Sequence, residues 1–340
     1  MSRWACRSYA PRPTTARPTT SPAPAQRKPP AWWPPCGWPT ISRAGANEPV
    51  PQAEPSLTLP PLREVIRRHG LTAFKGLGQH YLLDGNLAAR IVRAAGDLAG
   101  RTVLEVGPGP GGLTRALLAA PIARAVAVER DARFLPALAE LAAAYPGRLQ
   151  VIEADALTID EAALLPHGAV VVANLPYNIA TALLLKWLDR LDLFERLVLM
   201  FQREVAERLV ALPGGKAHGR LSVQVNWLTQ ARLLFDVAPT AFVPPPKVRS
   251  SVVELLPREA PLAPADRKDL RAVLAAAFGQ RRKMLRVALR QLVAEPEALL
   301  AAAGIAPTAR AESLDVQSFC RLALAYAPLR KALTNSSRPG

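Results

Sequence analysis

No run of about 18 uninterrupted apolar residues occurs in this chain, so its sequence offers no membrane-spanning helix. Cysteine is scarce: Cys6, Cys36 and Cys320 lie far apart in 340 residues. That spacing supplies neither a disulfide framework nor a set of zinc ligands, so no metal site is expected and a reducing compartment is the default. Acidic side chains are also in short supply. Against 43 Lys and Arg stand 27 Asp and Glu, a formal charge of +16, which points to a polyanionic partner, nucleic acid first among them. What is abundant is apolar: 50% of the residues are hydrophobic. That excludes global disorder and gives enough core for about two domains.

The charge and the prolines are unevenly placed. Residues 1–61 hold 15 of the 34 prolines, and residues 1–47 carry seven basic side chains and no acid. Proline at this density blocks helix and sheet alike, so 1–61 is expected to be a disordered extension. It could be a targeting peptide, a basic arm for nucleic acid, or an upstream stretch outside the enzyme proper; the last is preferred, since Trp32-Trp33-Pro34-Pro35 breaks the amphipathic helix a targeting peptide needs. From Leu62 the pattern turns globular. Helices are expected at 62–69 and 84–96, the second capped by Asp84. Strands at 102–106, 125–128, 149–152, 169–173 and 197–201 then alternate with helices from about 113 and at 132–144, 180–189 and 203–211. Two further strands follow at 231–235 and 250–256. Short apolar strands alternating with helices imply a doubly wound, mainly parallel α/β sheet covered on both faces, spanning 62–257. Residues 258–330 show helical spacing only and predict a small all-helical domain, with 331–340 as a tail. Residues 260–340 carry thirteen basic side chains against six acidic.

Ligands of such sheets bind beyond the carboxyl ends of the strands, so the loops there carry the functional argument. The first is Glu105-Val106-Gly107-Pro108-Gly109-Pro110-Gly111-Gly112. Glycines between strand and helix let a ligand approach the backbone closely. Gly107, Gly109 and Gly112 formally satisfy a dinucleotide fingerprint, but Pro108 and Pro110 remove two amide donors and weaken a phosphate cradle. Glu129, ending the second strand, can accept from ribose hydroxyls or can simply be a solvated acid. Asp155, after the third, can accept from an exocyclic adenine amine or cap a turn. The fourth strand ends in Asn174-Leu175-Pro176-Tyr177. An adenine amine is a poor nucleophile because its lone pair is delocalised into the ring. The Asn174 side-chain carbonyl and the Leu175 main-chain carbonyl can accept both amine hydrogens and favour a pyramidal nitrogen. Pro176 biases Leu175 toward extended backbone, and Tyr177 offers a face on which a base can stack.

Four segments, Gly78–Leu82 (Gly-Gln-His-Tyr-Leu), Glu105–Gly109, Asn174–Tyr177 and Phe242–Val248 (Phe-Val-Pro-Pro-Pro-Lys-Val), resemble in order the motifs of the rRNA adenine N6,N6-dimethyltransferases. Residues 219–222 and 278–283 are most similar to the bacterial small-subunit, KsgA-type branch, and the resemblance covers about 63–325. It implies a Rossmann-like methyltransferase fold and S-adenosylmethionine as methyl donor. It implies that His80 and Leu82 line the cofactor entrance, that Gly107 approaches the methionine portion, and that Glu129 takes the ribose and Asp155 the adenine amine. Asn174 would lie between cofactor and target amine, with Tyr177 and Phe242 facing each other across the target base. The reaction implied is dimethylation of two adjacent adenines near the 3′ end of small-subunit (16S) rRNA, within a pre-ribosomal particle in the cytoplasm, by a monomer. Two positions depart from the family pattern: His80-Tyr81 stands where Asn-Phe is frequent, and Arg249 where an acid is common. Arg281, Arg282, Lys283, Arg286 and Arg290 form a basic cluster expected to bind RNA phosphates. The competing readings are a resistance-type methyltransferase of large-subunit rRNA, a non-catalytic ribosome-assembly or transcription factor on the same scaffold, and, from the glycines alone, a dehydrogenase.

Overall fold

The computed structural model describes residues 59–74 and 79–336. Residues 1–58, most of the expected extension, lie outside the described residues, as do Gly78 of the 78–82 motif and the end of the tail. The described chain starts inside the stretch expected to be disordered: Leu59 packs on the core, and the Pro60 carbonyl accepts from Arg115 Nη1 at 2.7 Å. Helices α1 (Leu62–Arg68) and α2 (Gly85–Ala94) flank the short strand β1 (Tyr81–Leu82). Asp84 caps α2 as expected, accepting from the amides of Asn86 and Leu87 at 2.9 and 3.2 Å. The alternating region follows as β2 (Thr102–Val106), α3 (Gly112–Leu118), β3 (Arg124–Glu129), α4 (Leu135–Ala144), β4 (Leu149–Glu153), α5 (Glu161–Leu164), β5 (Ala169–Asn174), α6 (Ala180–Leu188) and β6 (Phe194–Gln202). Then come α7 (Arg203–Leu209), α8 (Arg220–Leu228), β7 (Thr229–Val237), β8 (Phe242–Val243) and β9 (Ser250–Pro257).

Seven strands form one sheet in the order β4-β3-β2-β5-β6-β9-β7. The first five run parallel, and β9 inserts antiparallel between β6 and β7. The order reverses between β2 and β5, the place where open α/β sheets leave a crevice. The central strands are buried on both faces, which is why they read as continuous apolar runs, whereas the edge strands β4 and β7 are partly exposed. Along each strand the side chains alternate between two cores. Val103, Ala125, Ala127, Val170, Val172 and Val198 join α2 and α3 on one face. Leu104, Val126, Val128, Val171, Leu197 and Leu199 face the other, with α6.

The second face also receives the carboxyl-terminal helices α9 (Arg267–Gly279), α10 (Leu285–Ala288), α11 (Pro296–Ala302) and α12 (Val316–Ser336). Leu270, Leu274, Phe319 and Leu322 are fully buried in the same cluster as Leu183 and Leu197. No strand occurs in this region among the described residues, as expected. α12 continues six residues into the stretch expected to be a tail, where Lys331, Ala332 and Leu333 are good helix formers. Helix α8 has no counterpart in the sequence reading. Its Val223 and Val225 alternate like a strand, but Ser222 Oγ accepts from the Gly219 amide at 3.1 Å and donates to the Arg208 carbonyl at 2.6 Å, which starts the helix. Among the described residues no helix is long and apolar enough to cross a membrane.

Candidate active site

The crevice at the strand-order reversal opens into a cavity of about 380 Å³. The loop after β2 contributes Gly107 and Gly109, the end of β3 Glu129, the end of β4 Asp155, and the end of β5 Asn174 through Tyr177. His80 and Tyr81 close it from β1. Gly107 has φ +69°, a left-handed backbone, and a Cβ there would meet the Pro176 ring at 3.4 Å. Glycine is thus favoured by the left-handed turn, while the Pro176 ring lies at ordinary contact distance from where a Cβ would stand. Gly112 is required for a different reason: a Cβ would sit 2.2 Å from the Leu82 carbonyl oxygen.

Glu129 joins the glycine loop to β3. Its Oε2 accepts from the Gly109 amide at 3.0 Å and its Oε1 from the Asp131 amide at 2.9 Å. Burial raises its pKa, and the amides oppose that rise. A carboxylate has about four lone-pair positions, so two remain for a ligand. Asp155 caps a turn and also stands in the cavity wall. Its Oδ1 accepts from the Leu157 amide at 2.9 Å, and its Oδ2 lies 3.2 Å from Arg130 Nη1. At the end of β5, the Asn174 side chain has no hydrogen-bond partner among the described residues and faces the cavity free. The buried Leu175 lines the cavity beside it. Tyr177 lies 5.8 Å from the His80 ring and its hydroxyl is 2.6 Å from Ser250 Oγ; burial raises its pKa.

Two expected site residues are not in the cavity wall. Phe242 is buried (2% exposed) and pairs with Leu82 across the β1–β8 ribbon. Both side chains point into the core that holds Val237 and Val252. Phe242 is thus packed in this core on the same side of the ribbon as Leu82, because residues opposite each other on a ribbon share a face. The Leu82 carbonyl oxygen closes the space beside Gly112, which is itself outside the cavity wall. The basic cluster is also divided. Arg281 Nε lies 3.1 Å from Glu312 Oε2, and its Nη2 donates to the carbonyls of Gly215 and Lys216, so this side chain is engaged in holding a loop. Arg286 lies 3.9 Å from Glu297. Arg282, Lys283 and Arg290 are exposed and have no side-chain partner among the described residues.

The structure adds residues that the sequence reading passed over. Asp131 is hydrogen-bonded by the Arg133 guanidinium and by Gln79 Nε2 at 2.9 Å, which holds its carboxyl down at about 2, Arg133 being the larger cause. Gln79 lay inside a motif and Asp131 two residues beyond Glu129, so position was the available signal. Glu105, on β2 two residues before Gly107, is fully buried, and desolvation pushes its carboxyl up to about 8. Among the described residues there is no group of His, Cys, Asp and Glu that could hold a metal ion.

The family model for ribosomal RNA adenine dimethylase matches residues 71–327. The chain belongs to that family. The dimethylase match spans all five cavity-lining segments, and the chain is a methyltransferase. Among its relatives are the ribosomal RNA small subunit methyltransferases A of Xanthobacter autotrophicus, 60% identical over 276 residues (80% of this chain, 96% of that one), and of Paracoccus denitrificans, 59% identical over 275 residues (79% and 98%). Similar solved structures include a dimethyladenosine transferase from Plasmodium falciparum, with TM-score 0.63 and 26% identity over 73% of this chain and 98% of that one. Another is the 23S rRNA methyltransferase ErmE, with TM-score 0.56 and 25% identity over 73% and 99%.

Proposed function

We propose that this chain transfers methyl groups from S-adenosylmethionine to N6 of two adjacent adenines near the 3′ end of 16S rRNA, two methyls to each, on a pre-ribosomal particle in the cytoplasm and as a monomer. The observation that carries the reading is Asn174: an unpartnered amide at the rim of a crevice whose other walls suit a nucleoside. Carboxylates at the ends of neighbouring strands, Glu129 and Asp155, match ribose hydroxyls and an adenine amine, and Val128, Ala154 and Ile179 give apolar contact for the ring. When bound, S-adenosylmethionine supplies an electrophilic methyl group on a sulfonium centre.

The protein's own part is placement. Asn174 Oδ1 and the Leu175 carbonyl accept the two amine hydrogens and turn the nitrogen lone pair out of conjugation. Tyr177 holds the extracted base by its face, worth roughly 1–3 kcal/mol. Gly107 lets the methionine portion approach the backbone, and His80 stands at the same end. Holding the two reactants in line is the main source of acceleration for a transfer with no covalent enzyme intermediate. Arg282, Lys283 and Arg290 remain as phosphate contacts on the helical region.

Small-subunit rRNA is favoured over large-subunit rRNA because the relatives at about 60% identity carry the small-subunit name, whereas the large-subunit enzyme is 25% identical. Mass mapping of rRNA methylation, after undermethylated small subunits are incubated with the protein and labelled cofactor, tests the reading. Two neighbouring dimethylated adenines near the 3′ end are expected. Methylation confined to 23S rRNA, or none, would overturn it.

A further inference from the structure

Two residues of the cavity wall are tied to one segment outside it. His80 Nδ1 lies 2.7 Å from the Pro244 carbonyl oxygen, which only accepts, so the imidazole donates. Tyr177 is bonded to Ser250 at the other end of the same segment. The residues between, Pro245-Pro246-Lys247-Val248-Arg249, therefore run along the rim of the site, anchored on both sides. Prolines at 244, 245 and 246 restrict the backbone and leave the segment few conformations to lose.

The surface this rim presents is unlike the rest of the wall. Val243 is 47% exposed and Val248 45%, and Lys247 and Arg249 are exposed beside them. Residues 238–251 contain no acid. Neither cationic side chain has an ion-pair or hydrogen-bond partner among the described residues; Arg249 is engaged only through its carbonyl, which accepts from the Arg203 amide at 2.9 Å. Elsewhere the arginines are mostly taken up: Arg203 by Glu207 and Asp236, Arg281 by Glu312. Free cations and exposed valines together at the mouth of a site mark a surface kept for a partner.

We propose that residues 243–249 form a lip that holds the single-stranded RNA on either side of the target adenine, with Val243 and Val248 against neighbouring bases and Lys247 and Arg249 on the flanking phosphates. The proposal rests on the methyltransferase reading and adds to it the site of strand contact. An adenine that enters the cavity leaves its stack, so its neighbours lose an apolar face that the valines can replace. Phosphate contacts then fix the register of the strand, which the base pocket alone does not.

The test uses the full chain and undermethylated small ribosomal subunits. Binding is measured at several salt concentrations for the wild type, the double variant Lys247→Ala/Arg249→Ala, and the charge-keeping double variant Lys247→Arg/Arg249→Lys. Cofactor affinity is measured by calorimetry alongside. The alanine pair should weaken subunit binding and reduce the salt slope by about 1.4–1.8, since each single-strand or duplex phosphate contributes roughly 0.7–0.9. The charge-keeping pair should restore the slope, and cofactor affinity should stay unchanged in both. Val243→Ser/Val248→Ser should raise the KM for subunits while leaving the slope alone. An unchanged slope in the alanine pair would overturn the lip, and so would a loss of cofactor affinity, which would place the segment in the cofactor site instead. A wild type that binds subunits but methylates nothing would count against the reaction, and the salt slopes would still decide the lip.

Discussion

The hydroxyl of Tyr177 lies 2.6 Å from Ser250 Oγ, so the ring proposed to receive the target base is anchored to the antiparallel strand β9 rather than to its own strand. Removing the ring and removing the anchor should have different consequences. Tyr177→Ala should cost the stacking energy, roughly 1–3 kcal/mol, or about 5- to 150-fold in kcat/KM for rRNA. Ser250→Ala keeps the ring and loses one hydrogen bond, about 0.5–1.5 kcal/mol of stability, with a smaller kinetic loss. Steady-state kinetics and denaturant melts on both variants separate the two roles; equal kinetic losses would show that the anchor matters as much as the ring.

Asn174 and Glu129 should divide chemistry from cofactor binding. Asn174→Ala removes one positioned acceptor for the amine, and the loss of one such group typically costs about 2.7–4 kcal/mol, roughly 10²–10³ in rate. Its effect on S-adenosylmethionine affinity should be far smaller. Glu129→Ala should do the reverse, weakening cofactor affinity roughly 10- to 150-fold through lost charged hydrogen bonds of about 1.5–3 kcal/mol. It also frees the amides of Gly109 and Asp131, so a lower melting temperature accompanies it. Single-turnover rates and calorimetry check both halves.

Glu105 makes stability depend on pH in an unusual direction for a carboxyl group. Its pKa in the fold is about 8, above the ordinary carboxylate range, because burial disfavours the charged form. Between those two values the folded chain holds a proton that the unfolded chain has released. Its contribution is full at acid pH and is lost as pH rises through about 8. Glu105→Gln carries no such proton, so its melting temperature should fall less than the wild type's between pH 6 and 8.5. Parallel slopes for the two proteins would remove Glu105 from the account.

Gly112→Ala should destabilise the chain although the backbone there is not left-handed. The added methyl would meet the Leu82 carbonyl at 2.2 Å, and neither side is a flexible side chain. Overpacking of this kind typically costs about 1–3 kcal/mol. A denaturant midpoint equal to wild type would show that β1 gives way freely.

Much of the sheet was legible because parallel strands buried on both faces leave apolar runs such as Val170-Val171-Val172 with helices between them. The position of the cavity wall was legible for a related reason: Gly107, Glu129, Asp155 and Asn174 each lie at or just past the carboxyl end of a strand. What stayed hidden depends on pairing across long separations. Nothing local shows that Phe242 faces inward, since that follows from its register against Leu82 in a two-residue ribbon. The bond between Tyr177 and Ser250 spans 73 residues, and the hold of Glu312 on Arg281 spans 31. Helix α8 was missed because Val223 and Val225 imitate a strand, while the Ser222 contact that starts the helix involves the carbonyl of Arg208 from the preceding helix.

The position of β9 also sets when the site can exist during synthesis. This strand is the last of the sheet to leave the ribosome, yet it lies between β6 and β7 rather than at an edge. Until about residue 257 has emerged, β6 and β7 each present an open edge, and Tyr177 lacks the serine that holds it. A nascent chain is thus an incomplete sheet with unpaired edges, the kind that is prone to wrong pairing. Translation must run past the catalytic motifs, and well beyond the cofactor crevice, before a competent base pocket can form.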